Sequence, residues 1–173
     1  MWLVKDKIFY IEQFLSDYEI ELLDAAIEES SDAVISEYKE KTADPTFGGY
    51  LTVKFPNRDL MDSIVGRMFK VVKDNDLNYQ QFYPRDELQF IGPGCAMSIH
   101  VDGDGTNVGY GLVLYISDPE TYSGGEIFYP DYDISIKPAR GSLAIHAGNV
   151  PHGVKEVTDG YRFVIIAFTG VGG

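Results

Sequence analysis

The spacing of apolar residues changes near Pro84. Upstream, apolar positions recur every three or four residues, the period of a helix with one face on a core. Downstream they fall into short runs rich in β-branched and aromatic residues, separated by Gly, Pro, Asn and Asp. Lys7 to Ile11 reads as a short strand. Ser16-Asp17-Tyr18-Glu19 has the form of a capping box, and Asp17 and Glu19 suit the positive end of a helix dipole. Ile20, Leu22, Leu23, Ala26 and Ile27 then give the first helix its buried face. A second helix is predicted from about Asp59 to Val72, with Leu60, Ile64, Met68 and Val72 on one stripe. Thr42 to Gly49, with Pro45, Gly48 and Gly49, reads as a loop. Extended to Tyr50, it is a candidate lid hinged at Gly48 and Gly49. Later strands are predicted at Leu88–Ile91, Ala96–Val101, Tyr110–Ile116, Glu126–Tyr129, Ile134–Lys137, Ser142–His146, Gly153–Val157 and Arg162–Phe168, with turns at Ser123-Gly124-Gly125 and Asp159-Gly160. The pattern predicts a mainly β fold with flanking helices, a sandwich or barrel such as a double-sheet jelly roll.

Composition narrows this picture. A chain of 173 residues builds one good core. A single domain is expected over 1–173, with 1–86 as helical support and possible lid and 87–173 as the strand core. Met1 to Phe14 is interrupted by Lys5, Asp6, Lys7 and Glu12, so no signal peptide is read. No apolar run has the length of a membrane span. Cys95 is the one cysteine, so no intramolecular disulfide forms, and a reducing, cytoplasmic setting is expected. The net charge of -13, with Lys and Arg scattered, argues against nucleic-acid binding. Solubility explains that acidity more simply than a cationic partner does.

The candidate chemistry centres on His100-Val101-Asp102. Residues two apart on a strand face the same way, so both side chains can enter one barrel mouth. A histidine from a facing strand would complete two histidines and one carboxylate, the donor set of non-haem Fe(II) oxygenases. His100, His146 and His152 are the only histidines. His152, after Asn149-Val150-Pro151 at a strand start, is assigned as the third ligand. His146 is its competitor, read otherwise as a core, outer-shell or substrate-pocket residue. Asp104 shares the parity of His100 but lies between Gly103 and Gly105, where a turn is expected. A calcium loop fails because Asn107 and Val113 stand at the required Gly and Glu positions. A dinucleotide fingerprint fails at Val108. Arg162 lies in an otherwise apolar strand, where an unpaired inward charge is costly, and this points to a bound anion.

From Leu88 to Thr169 the chain resembles the Fe(II)/2-oxoglutarate-dependent dioxygenases of the prolyl 4-hydroxylase-like branch. The matching pieces are His100-x-Asp102, Tyr115-Ile116-Ser117, Gly124-Gly125-Glu126-Ile127, Pro138-x-x-Gly141-Ser142-Leu143, and His152 with Gly160-Tyr161-Arg162. Phe9 to Ser16 is similar to the family's strand-then-helix entry. The resemblance implies a double-stranded β-helix (jelly roll) with Fe(II) on His100, Asp102 and His152. It implies 2-oxoglutarate with its C5 carboxylate on Arg162 and Tyr115, O2 as co-reactant and ascorbate as reductant. The guanidinium fork suits a carboxylate because it donates two parallel hydrogen bonds. Prolyl hydroxylation of a peptide or protein is the implied activity. A small-molecule hydroxylase, acting on a free amino acid or metabolite, and a non-catalytic metal-binding jelly roll are the alternatives. The chain departs from the family at Ile91 and Met97, where many members carry tyrosines, and at Val164, where many oxygenases carry Ser or Thr.

Overall fold

The computed structural model describes residues 1–43, 49–54, 57–75, 77, 81–104 and 106–170. Its strands are β1 (Trp2–Val4), β2 (Ile8–Ile11), β3 (Leu51–Lys54), β4 (Gln81–Ile91), β5 (Cys95–His100), β6 (Val108–Tyr115), β7 (Ser123–Gly124), β8 (Ile127–Tyr129), β9 (Ile134–Ile136), β10 (Leu143–Ala147), β11 (His152–Asp159) and β12 (Arg162–Gly170). Its helices are α1 (Asp17–Thr42) and α2 (Arg58–Asp74). A seven-stranded sheet runs β1-β2-β10-β6-β12-β4-β3, and a five-stranded sheet runs β5-β11-β8-β9 with β7 on β11. Every pairing is antiparallel. This is the mainly β, jelly-roll fold expected from the strand pattern.

Alternation along the strands decides which side chains reach the interior. On β6, Leu112 and Leu114 pack with the helices, whereas Val113 and Tyr115 belong to a second cluster with Ile127 and Tyr129 of the smaller sheet. On β12, Ile165 and Ala167 join the helical side and Val164 the inner side. The large sheet is therefore covered on both faces, which is why β10 is buried along its whole length. Even-numbered residues of β10 and β12, including His146 and Arg162, share the inward phase.

The helices cover the outer face. The capping box at Ser16 is present, with Ser16 Oγ accepting from the Glu19 amide at 3.2 Å and Glu19 accepting from the Ser16 amide at 3.0 Å. Leu23 and Ala26 of α1 meet Met61, Ile64, Met68 and Val72 of α2 in one core. Met61, rather than the expected Leu60, is the fully buried member of the first turn; Leu60 sits at its margin. Arg67 of α2 pairs with Glu19 and donates to the Phe14 carbonyl, fastening α2 to the start of α1.

Several boundaries differ from expectation. The large sheet is not confined to residues after 86, because β1, β2, β3 and the first half of β4 also belong to it. β3 has only four residues between two helices, too few to register as a period. β4 passes through Pro84, which normally signals a break. There, however, among the described residues β4 has β12 on one side only, since β3 pairs with residues 87–90, and the register with β12 shifts nearby. A proline survives in a sheet at such an edge or irregularity. Ser123-Gly124, expected as a turn, pairs briefly with β11. Of the candidate lid Thr42–Tyr50, residues 44–48 lie outside the described residues.

Candidate metal centre and anion pocket

His100 closes β5, His152 opens β11, and the two are direct cross-strand partners. Asp102 follows two residues beyond His100, its amide donating to the Gly148 carbonyl at 3.0 Å. The strand pairing thus brings together residues far apart in sequence. One ligand atom from each of His100, Asp102 and His152 lies within 4.8 Å of the others. Asp102 Oδ1 is 3.5 Å from His152 Nε2 and 3.9 Å from His100 Nε2. Each histidine has its Nδ1 2.8 Å from a backbone carbonyl, that of Ser98 for His100 and that of Val150 for His152. A carbonyl only accepts, so Nδ1 carries the proton and Nε2 presents its lone pair to the shared space. This donor set, one carboxylate and two oriented imidazoles, fits a divalent first-row metal.

The electrostatics favour the ligating protonation states. Burial pushes the His152 imidazole down to about 4, helped by the neighbouring His146. Burial alone would raise the Asp102 carboxyl, but the hydrogen bond from His146 and the electrostatic pull of the neighbouring imidazoles outweigh it and hold Asp102 below the usual carboxylate range. A neutral imidazole and an ionised carboxylate need release no proton to take a metal at neutral pH.

Stability should follow His152. Between the free-histidine value of 6.5 and the native value of about 4, the unfolded chain takes up a proton that the native site refuses. Metal-free protein is therefore expected to hold this contribution fully above about pH 6.5. It loses the contribution as pH falls towards 4, by on the order of 3 kcal/mol. Denaturant unfolding across that range checks this; the segment should disappear in His152→Asn.

The other two candidates fall outside the triad. Asp104 is exposed, and its Oδ1 accepts from Thr106 N, Thr106 Oγ1 and Asn107 N at 2.8, 2.7 and 3.0 Å, closing its own turn. His146 is 1% exposed, and its Nε2 stands 3.0 Å from Asp102 Oδ2, the oxygen not facing the other histidines.

A pocket of about 240 Å³ opens over the triad and reaches Arg162. Arg162 is 2% exposed, and its Nη2 donates weakly to the Tyr115 hydroxyl at 3.4 Å, with the guanidinium 5.1 Å from the Tyr115 ring centre. Among the described residues its Nε has no hydrogen-bond partner and it forms no ion pair. A buried cation with an unused donor, facing a cavity beside a metal-type triad, fits the carboxylate of a chelating acid. Tyr115 is buried beside Arg162 but does not itself line the pocket.

Sequence reasoning missed the far wall of this pocket. Arg85, Glu87 and Gln89 of β4 line it in alternation. Gln89 is only 8% exposed and has no side-chain hydrogen-bond partner among the described residues. The visible signal was a period-2 polar row, obscured by Pro84 at its start. Tyr129, which bonds His146, carried no signal beyond its strand.

These features define a double-stranded β-helix with a His-x-Asp…His cluster at its mouth. Known proteins share this fold. A PKHD-type hydroxylase of Maricaulis maris is 32% identical over 80 residues, covering 43% of this chain and 36% of the relative. One from Shewanella sp. (strain ANA-3) is 35% identical over 91 residues, covering 47% and 40%. The chain thus spans two fifths or less of these relatives' length. No protein-family model matches it. Among solved structures, the viral collagen prolyl hydroxylase of Paramecium Bursaria Chlorella virus-1, in its 2OG complex, superposes with a TM-score of 0.69 at 18% identity, covering 96% of this chain and 97% of that one. A Pseudomonas putida prolyl-4-hydroxylase gives 0.66 at 17%, covering 96% and 94%. The curated relatives are named PKHD-type hydroxylases, and this chain has the fold of the prolyl hydroxylases.

Proposed function

We propose that the protein is an Fe(II)- and 2-oxoglutarate-dependent oxygenase that hydroxylates an unactivated C–H, that of a prolyl residue in a peptide or protein. The observation that carries this reading is the pairing of the triad with Arg162 in one pocket, the arginine buried with Nε unused. When bound, the metal and keto acid would supply the O2 chemistry; the protein positions them and limits water. His100, Asp102 and His152 would hold the metal on one face and leave the pocket side open. Arg162 would fix the far carboxylate of the keto acid. Val113, Ile127 and Val154 give the pocket apolar walls. Prolyl specificity is supported by the relatives' names and by a Trichoplax adhaerens prolyl hydroxylase solved with a hypoxia-inducible-factor peptide fragment, TM-score 0.65 at 12% identity.

A second reading, a free amino acid as substrate, is favoured by Arg85 and Glu87, which place opposite charges two residues apart on the pocket wall. Purified protein is incubated with Fe(II), 2-oxoglutarate and ascorbate, and succinate is measured with proline-containing peptides and, separately, with free amino acids. Turnover stimulated by peptides supports the first reading, and stimulation by amino acids alone the second. No succinate above background, together with no keto-acid binding by calorimetry, rejects both.

A further inference from the structure

We infer that His146 and Tyr129 are positioning residues that hold the Asp102 carboxylate so that it offers one oxygen, not two, to the metal. The inference rests on the metal reading above. Asp102 is divided between two environments. Oδ1 faces Nε2 of His152 and of His100 at 3.5 and 3.9 Å, while Oδ2 faces His146 Nε2 at 3.0 Å. An ionised carboxylate only accepts, so His146 Nε2 carries the proton of that bond. His146 Nδ1 is then the lone-pair nitrogen, and it lies 3.2 Å from the Tyr129 hydroxyl, which donates to it. Burial holds the Tyr129 hydroxyl well above its usual range, so it keeps that proton. Both ring nitrogens of His146 are therefore engaged, which separates it from His100 and His152, whose Nε2 atoms are free of such a donor role.

The sheet leaves space for this contact at one position. His146 of β10 is the cross-strand partner of Gly111 of β6. A Cβ at residue 111 would stand 2.5 Å from Asp102 Oδ2 and 2.7 Å from His146 Nε2. Any larger residue would wedge into the hydrogen bond. The Asp102 main chain is tied to the same region, through its amide and the carbonyl of Gly148 just beyond β10.

The physical consequence concerns coordination. A carboxylate that is free to turn can chelate a metal through both oxygens. Here Oδ2 is already occupied by a buried donor, so Asp102 would offer a metal one oxygen and leave the remaining positions to ligands from the pocket. With His146 removed, Oδ2 would be buried without a donor, and the carboxylate would lose its orientation.

Mn(II), a redox-inert ion, is titrated into anaerobically prepared protein by calorimetry and electron paramagnetic resonance, with a thermal melt of each metal-free variant alongside. His146→Leu is expected to weaken Mn(II) binding by roughly 10–100-fold. His146→Gln, whose amide N–H can reach Oδ2, should recover part of that loss. Tyr129→Phe should weaken binding by less than about tenfold, because the imidazole is then free to adopt the other tautomer. Gly111→Ala perturbs the same bond from outside and should also weaken binding. Mn(II) affinity in folded His146→Leu within about twofold of wild type, or tighter, overturns the inference. So does an equal loss in His146→Leu and His146→Gln. If His146→Leu does not fold, wild-type affinity in both Tyr129→Phe and Gly111→Ala overturns it. If the wild-type protein binds no Mn(II), the metal reading itself falls.

Discussion

Replacing Arg162 with alanine is expected to weaken 2-oxoglutarate binding by roughly a hundredfold or more, because two charge-assisted hydrogen bonds worth about 1.5–3 kcal/mol each are lost. Mn(II) binding should stay close to wild type, since among the described residues Arg162 bonds to Tyr115 and to none of the three candidate ligands. Calorimetry with each ligand in turn separates the two effects. Loss of metal with unchanged keto-acid affinity would reverse the role assigned to Arg162. The same residue makes a second, opposite prediction. Without its anion, the guanidinium is a buried cation with an idle Nε, its desolvation offset only by the weak bond to the Tyr115 hydroxyl and the Tyr115 ring. Arg162→Met, which keeps most of the volume, should therefore leave ligand-free protein at least as stable as wild type in a thermal melt. A structural arginine would instead lower the melting temperature.

Asp102→Ala should remove metal binding altogether in the micromolar range, a larger loss than the roughly 10–100-fold typical of an outer partner. It takes away the one anionic ligand and leaves the His146 donor without its acceptor. Asp104→Ala is the matched control. It should bind Mn(II) like wild type, because the Asp104 carboxylate is spent on Thr106 and Asn107. Electron paramagnetic resonance of free and bound Mn(II) reads both variants. Equal loss in the two would mean that the Gly103 turn, not the carboxylate, governs the site.

The parts of this site that follow local rules are legible in the sequence, and the parts set by register are not. His100 and Asp102 share a strand face by simple parity. Arg162 is conspicuous as a charge in an apolar run. His152 is assigned over His146 as the third ligand, but the pattern gives no sign of what His146 does instead. The β5–β11 pairing places His152 opposite His100, and the β10–β6 pairing places His146 opposite Gly111. Those are long-range facts with no local signature. The same holds for the fold. The capping box of α1 and the stripe of α2 announce themselves, whereas β3 is too short, and β4 is cut in the pattern by Pro84. The Arg85-Glu87-Gln89 wall was lost with it.

The order of strands in the large sheet also bears on how the molecule reaches its final state. β2 lies against β10, so Ile11 must wait for Leu143. β4 waits likewise for β12. Nearly every central neighbour in that sheet is a distant one along the chain. Such high contact order places folding on the order of milliseconds to seconds rather than microseconds. During synthesis β2 leaves the ribosome long before β10, so Ile8 and Phe9 stay uncovered until that partner arrives. Newly made chains should therefore pass through a stage that chaperones can capture, and slower translation of the stretch between β6 and β10 should prolong it.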